Sequence, residues 1–197
     1  SPVIPKKEKF VFLMVSRVLQ DKGIYEYIDA IKIIKNKYPN YLIQFQLLGE
    51  VNANNKSAID ISELNFWVSE GLIDYLGVSD QVANIILKCH CVILPSYREG
   101  MPRSILEAFA IGRPAIVSDV VGCRNIVEHK YNGLLCKVKS STDLASKMIE
   151  MFELPQEVRV KFARNGRNKI EEYYDEKIVI NTYLKSINNI LVDEKSI

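Results

Sequence analysis

Six short apolar runs punctuate the chain, and helix-patterned segments fill the intervals between them. No other feature restricts the fold as much. The runs are "FVFLMVS" (Phe10 to Ser16), "YLIQFQLLGE" (from Tyr41), "IDYLGV" (from Ile73), "CVILPS" (from Cys91), "PAIVSD" (from Pro114) and "GLLCKV" (from Gly133). They are too short for helices, rich in β-branched and aromatic residues, and apolar on both faces, as strands covered on both sides must be. After the first, "IYEYIDAIKIIKNKY" sets Ile24, Tyr27, Ile28, Ile31 and Ile34 on one helical face, and Pro39 with Asn40 stops it. The polar "VNANNKS" leads from the second strand to the helical "AIDISELNFWVSEGL", and "SDQVANIILKC" reads as a helix with Ser79 as its N-cap. Further helices are expected from Pro102, over "GCRNIVEH", and finally over Thr142–Phe152, Pro155–Tyr174 and Glu176–Leu191.

Strand and helix in strict alternation give an α/β fold: a doubly wound, Rossmann-like, mostly parallel sheet with helices on both faces, plus C-terminal helices. The chain has 197 residues, 48% hydrophobic and 25% charged, with no internal repeat or long linker. That is enough to bury a core, so one domain with a helical extension is expected. Ligands of such sheets sit at the carboxyl ends of the strands, which directs attention to the loops after Ser16, Leu48, Gly77, Ser96 and Asp119.

Composition narrows the chemistry. Lys plus Arg number 26 against 24 Asp plus Glu, a net charge of +2, too balanced to imply nucleic acid or an acidic membrane surface as partner. No run approaches the ~18 apolar residues of a transmembrane helix. The opening "SPVIPKKEKF" lacks the apolar core of a signal peptide, so a cytoplasmic location is expected. Cys89, Cys91, Cys123 and Cys136 lie in apolar segments without a C-x-x-C pair, which suits reduced, buried thiols. "CHC" at Cys89–Cys91 is too tightly spaced for a tetrahedral zinc site, and the only other histidine is His129, so no metal site is expected.

Neither G-x-G-x-x-G nor G-x-x-x-x-G-K-[ST] occurs, so a dinucleotide enzyme or a P-loop NTPase is not expected. The first loop instead reads "SRVLQDKG", with Arg17 leaving the strand and Lys22 just before Gly23 and the helix. Two cations there suit a doubly charged phosphate group, although solvated loop charges would look the same. In "YREGMPRSILEAFAIGRP", Gly100 allows close backbone approach, and Pro102 suits the first turn of a helix. The amides of Arg103, Ser104 and Ile105 would then face the cleft and attract an anion. Glu99 before that helix and Glu107 within it are acceptors suited to two sets of sugar hydroxyls. A competing reading makes Ser104–Glu107 a capping box, with Glu107 bonding back to the backbone.

The spacing of Glu99 and Glu107, with seven residues between them, resembles the E-x7-E signature of retaining glycosyltransferases of the GT-B fold, glycosyltransferase family four. "SRVLQDKG", "LLGE", "DYLGV", "VILPSYREG" and "YNGLL" are similar to that family's pattern in the same order, over roughly residues 8 to 155. The resemblance implies one half of a GT-B fold. Residues 1–175 would be the nucleotide-sugar (donor) domain, and 176–197 a C-terminal helix that packs on an N-terminal acceptor domain through residues such as Ile178 and Ile180. It further implies that Arg17 and Lys22 hold the diphosphate, Glu107 the ribose and Glu99 the donor sugar. Gly100, Met101, Pro102, Arg103, Ser104 and Ile105 would help bind sugar and phosphate, and Tyr75, Leu76 and Gly77 would border the base. Three positions depart from the family pattern: Ser16 where Gly is usual, Val121 where the first of two glycines stands, and Asn125 where Glu is frequent.

By this resemblance the chain is the donor-binding half of a hexosyl-type, retaining, metal-independent transferase in surface polysaccharide or glycoconjugate biosynthesis. The substrate is a nucleotide diphosphosugar, expected to be a UDP-sugar, and no cofactor is expected. The acceptor, a glycan or lipid-linked glycan, would be engaged through the N-terminal domain, with the full-length protein peripheral to the membrane and the 197 residues alone inactive. Two alternatives remain open at this point: a nucleotide-sugar epimerase of the same architecture and a non-catalytic nucleotide-sugar binding module. A two-carboxylate glycosidase gives Arg17 and Lys22 no role.

Overall fold

The computed structural model describes residues 9–51 and 55–193. The outer ends of the two expected segments, 1–8 and 194–197, and residues 52–54 of the "VNANNKS" loop, lie outside the described residues. A six-stranded parallel sheet runs in the order β3-β2-β1-β4-β5-β6. The strands are β1 (Phe10–Val15), β2 (Ile43–Leu48), β3 (Asp74–Tyr75), β4 (Cys91–Leu94), β5 (Ala115–Ser118) and β6 (Gly133–Cys136). The helices are α1 (Ile24–Lys37), α2 (Ile61–Ser69), α3 (Val82–Ile86), α4 (Arg103–Ile111), α5 (Val121–Arg124), α6 (Ser141–Glu153), α7 (Gln156–Tyr173) and α8 (Glu176–Asp193).

Both faces of the sheet are buried, which explains the continuous apolar runs. One core cluster joins Phe10, Phe12 and Met14 of β1 to Ile24, Tyr27, Ile28 and Ile31 of α1, Leu64 and Trp67 of α2, and Leu144 and Met148 of α6. The other joins Leu13, Val92 and Leu94 to Ile86 of α3, Ile105 and Phe109 of α4, and Cys123 of α5. Alternate residues of one strand thus serve opposite cores, and each large side chain so buried contributes ~1.5–3 kcal/mol. Arg113, 2% exposed, closes the end of the second core by donating to the carbonyls of Gly112 and Leu87 at the C-terminal ends of α4 and α3, where a cation is favoured.

Several boundaries differ from the sequence reading. Ser79 is not the N-cap of α3: its Oγ accepts the Gln81 amide at 3.0 Å, and Gln81 takes the cap position of a helix only five residues long. Pro102 stands at the N-cap of α4, one place before the first turn. "GCRNIVEH" is helical only as far as Arg124, within α5. A turn of 3-10 helix, Gln20–Lys22, sits in the loop between β1 and α1.

Candidate functional site

The strand order reverses between β1 and β4, so the loops that leave these two neighbours diverge around a crevice. Lys22 comes from one loop and Glu99 from the other, and the Lys22 ammonium donates to the Glu99 carboxylate at 2.7 Å. Both side chains are largely buried, 21% and 11% exposed, which strengthens the pair relative to one in open solvent.

Close backbone approach makes this contact possible. Gly23 follows Lys22 with φ of 79°, and a Cβ there would fall 2.1 Å from the Pro95 carbonyl oxygen. Only glycine fits, for both the left-handed conformation and the space. On the far side, a Cβ at Gly122 of α5 would fall 2.3 Å from the carbonyl oxygens of Glu99 and Gly100. The Glu99 loop is thereby wedged between the starts of α1 and α5.

The row of loops continues towards β3. The Val18 amide donates to the Glu50 carbonyl at 2.8 Å, the Gly49 amide to the Gly77 carbonyl at 2.8 Å, and the Tyr75 hydroxyl to the Gly49 carbonyl at 2.8 Å. Tyr75 and Gly77 are half-buried and Leu76 is 37% exposed, so these three end the row beyond Arg17. Arg17 is exposed at the carboxyl end of β1 and makes no side-chain ion pair or hydrogen bond among the described residues.

At the start of α4, the amides of Gly100, Met101, Arg103 and Ser104 have no hydrogen-bond partner among the described residues, as a helix N-terminus requires. The Ile105 amide, expected to be free, instead donates to the Pro102 carbonyl at 3.0 Å in a tight first turn. The capping-box alternative is not formed. Ser104 lies inside the helix, and among the described residues the Glu107 carboxylate pairs only with Arg103, at 3.9 Å, with its own side chain 43% exposed. The Glu107 carboxylate is therefore left without a hydrogen-bond partner among the described residues.

Three neighbours escaped the sequence reading because their partners are remote in the chain. Tyr97 donates its hydroxyl to both carboxylate oxygens of Glu26, at 2.8 and 3.0 Å, and Lys139 places its ammonium 4.7 Å from the centre of the Tyr97 ring. Asp21 Oδ1 is buried without a partner among the described residues, while its Oδ2 lies 4.0 Å from Arg98. The surviving glycine of "VVGC" was the one available signal for the role of Gly122. The four cysteines are free and buried, with burial pushing Cys89, Cys123 and Cys136 up to about 12. Among the described residues no three His, Cys, Asp or Glu side chains cluster as metal ligands, and no helix is long and apolar enough to cross a membrane.

A doubly wound parallel sheet of this order, with helices on both faces, is the architecture of the C-terminal domain of a GT-B enzyme. The chain belongs to the glycosyl transferases group 1 family, whose model matches residues 2–169. It is 32% identical over 184 residues to the N,N'-diacetylbacillosaminyl-diphospho-undecaprenol alpha-1,3-N-acetylgalactosaminyltransferase of Campylobacter jejuni, covering 93% of this chain and 46% of that protein. It is 26% identical over 171 residues to the UDP-Gal:alpha-D-GlcNAc-diphosphoundecaprenol alpha-1,3-galactosyltransferase of Escherichia coli, covering 84% and 42%. The fold matches Anabaena HepE, solved with UDP and glucose, at a TM-score of 0.79 and 23% identity over 91% of this chain and 48% of that one. It also matches the C-terminal domain of a Francisella tularensis group 1 glycosyl transferase at 0.70 and 24% identity, covering 87% and 88%. The chain spans about half the length of the curated relatives it matches.

Proposed function

We propose that this chain is the donor-binding half of a retaining glycosyltransferase that takes its sugar from a UDP-sugar. The observation that carries the reading is the 2.7 Å contact of Lys22 with Glu99 at the switch point, beside the free amides at the start of α4. When the bond from the anomeric carbon to phosphate breaks, negative charge builds on the departing diphosphate. Lys22, held against Glu99, and the helix amides are a fixed cation and fixed dipoles beside that charge, the exposed Arg17 is a further cation at the same edge, and loss of one such group costs on the order of a hundredfold in rate. Glu99 accepts from hydroxyls of the donor sugar and Glu107 from those of the ribose, while the loop of Tyr75, Leu76 and Gly77 borders the base. The protein cations take the electrostatic part that a metal ion plays elsewhere, and no cofactor is required.

The acceptor is a lipid-linked glycan, as in the names of the two bacterial relatives, engaged through an N-terminal half at the cytoplasmic surface of the membrane. α8 exposes Ile180, Tyr183, Leu184 and Ile187 at helical spacing, a stripe suited to packing on that half. Titration calorimetry with UDP-, GDP- and ADP-sugars tests the donor site: a UDP-sugar binds, and Arg17→Ala and Lys22→Ala weaken it. Binding that ignores both substitutions overturns the assignment. Product analysis of the full-length protein then separates a glycoside of retained configuration from the epimeric nucleotide sugar that an epimerase forms.

A further inference from the structure

Tyr97 is the point at which three carboxyl-edge loops meet. Its amide donates to the Asp21 carbonyl at 2.9 Å, beside the Ser96 hydroxyl, which donates to the same oxygen at 3.2 Å. Its phenol donates to Glu26 in the first turn of α1, at 2.8 and 3.0 Å, and its ring carries the Lys139 ammonium from the loop after β6. One residue before Lys22 and two residues before Glu99, these bonds tie the two halves of the crevice edge together. A free loop of this kind would leave both side chains to wander, and the 2.7 Å contact between them would average out.

We propose that Tyr97, held by Glu26, is a positioning residue of the donor site: it fixes the separation of Lys22 and Glu99, and with it the spacing of diphosphate from sugar. This rests on the donor-site reading above. Burial first, then the Glu26 carboxylate, pushes the Tyr97 hydroxyl far above its ordinary pKa, so the phenol remains a hydrogen-bond donor across the working range. Tyr97 is engaged by Asp21, Glu26 and Lys139, so its effect travels through Lys22.

A double-mutant cycle tests this, with UDP-sugar affinity measured by ligand-observed NMR and calorimetry, and melting temperature recorded for each variant. Tyr97→Phe, which keeps the ring, is expected to weaken binding about tenfold in the parent chain and less than about twofold in a Lys22→Met background. Glu26→Ala reproduces the loss from the other end of the bond. Glu26→Gln, whose amide oxygen still accepts from the phenol, restores affinity to within about threefold of the parent. A purely structural role predicts the same factor in both backgrounds, and that result overturns the inference, as does a Tyr97→Phe affinity within twofold of the parent. If the parent binds and Lys22→Met weakens it while Tyr97→Phe does not, this inference fails alone. If the parent binds no UDP-sugar, the donor-site reading fails and takes this one with it.

Discussion

Replacing Gly122 by alanine puts the geometry of the crevice under direct test. The new Cβ would lie 2.3 Å from two backbone carbonyl oxygens, those of Glu99 and Gly100, and 2.7 Å from the carbonyl carbon of Glu99. Real Cβ contacts essentially never fall below 3.0 Å, so α5 and the Glu99 loop must separate by at least about 0.7 Å. The colliding atoms are backbone, and no flexible side-chain tip can swing aside. Overpacking of this kind costs ~1–3 kcal/mol, or roughly 2–10 °C of melting temperature for a domain of this size. Because the Glu99 loop is wedged between α5 and the start of α1, the same shift displaces Glu99 from its 2.7 Å contact geometry with Lys22, and a misplacement near 1 Å costs on the order of a hundredfold at a preorganised site. Melting and UDP-sugar titration of Gly122→Ala therefore both fall. Because alanine is the better helix former by ~1 kcal/mol, an exposed helical glycine would give the opposite sign. A variant as stable as the parent, or more so, with unchanged affinity would refute the reasoning.

Glu107→Ala is expected to lower UDP-sugar affinity at least about tenfold while moving the melting temperature by less than about 3 °C, because a 3.9 Å pair with an 89% exposed arginine contributes little to stability. A large drop in melting with unchanged affinity would make Glu107 a structural residue instead. The buried thiols set the alkaline limit. Burial raises Cys89, Cys123 and Cys136 from 9.0 to about 12, so above pH 9 the unfolded chain has lost protons that the folded chain retains. Their contribution is complete below pH 9 and is lost as pH rises from there towards 12, so melting under reducing conditions is flat from about pH 6 to 8 and falls beyond about pH 9. A flat profile to about pH 10.5 would contradict the burial of these groups.

The sheet was legible because burial on both faces writes itself as uninterrupted apolar runs, and the α1 face was legible because Ile24, Tyr27, Ile28, Ile31 and Ile34 recur at helical spacing. Cap positions were less so. Ser79 and Gln81 both lie within reach of the start of α3, and tertiary packing, which no local pattern records, chose between them. Ser104 and Glu107 have the spacing of a capping box, yet Pro102 takes the cap position and leaves Ser104 two residues inside it. The carboxyl-edge location of Lys22 and Glu99 followed from the motifs, whereas Tyr97, Glu26 and Lys139 are joined only by folding: separations of 71 residues for the hydrogen bond and 42 for the ring contact leave no periodic trace.

The junction of β1 with β4 is a short seam in the sheet. Six register pairs join β1 to β2, but only three, from Phe12 with Cys91 to Met14 with Ile93, join β1 to β4. The chain before β4 and the chain after it are thus two leaves joined by a short spine and by the packing of α1 on α6, and the Lys22–Glu99 contact is a clasp across their carboxyl edge. A molecule that grips both sides of the clasp does more than occupy a site. It binds the leaves into one cooperative unit, so amide protons along the spine exchange more slowly when the molecule is present, and occupancy can be read from the backbone far beneath it.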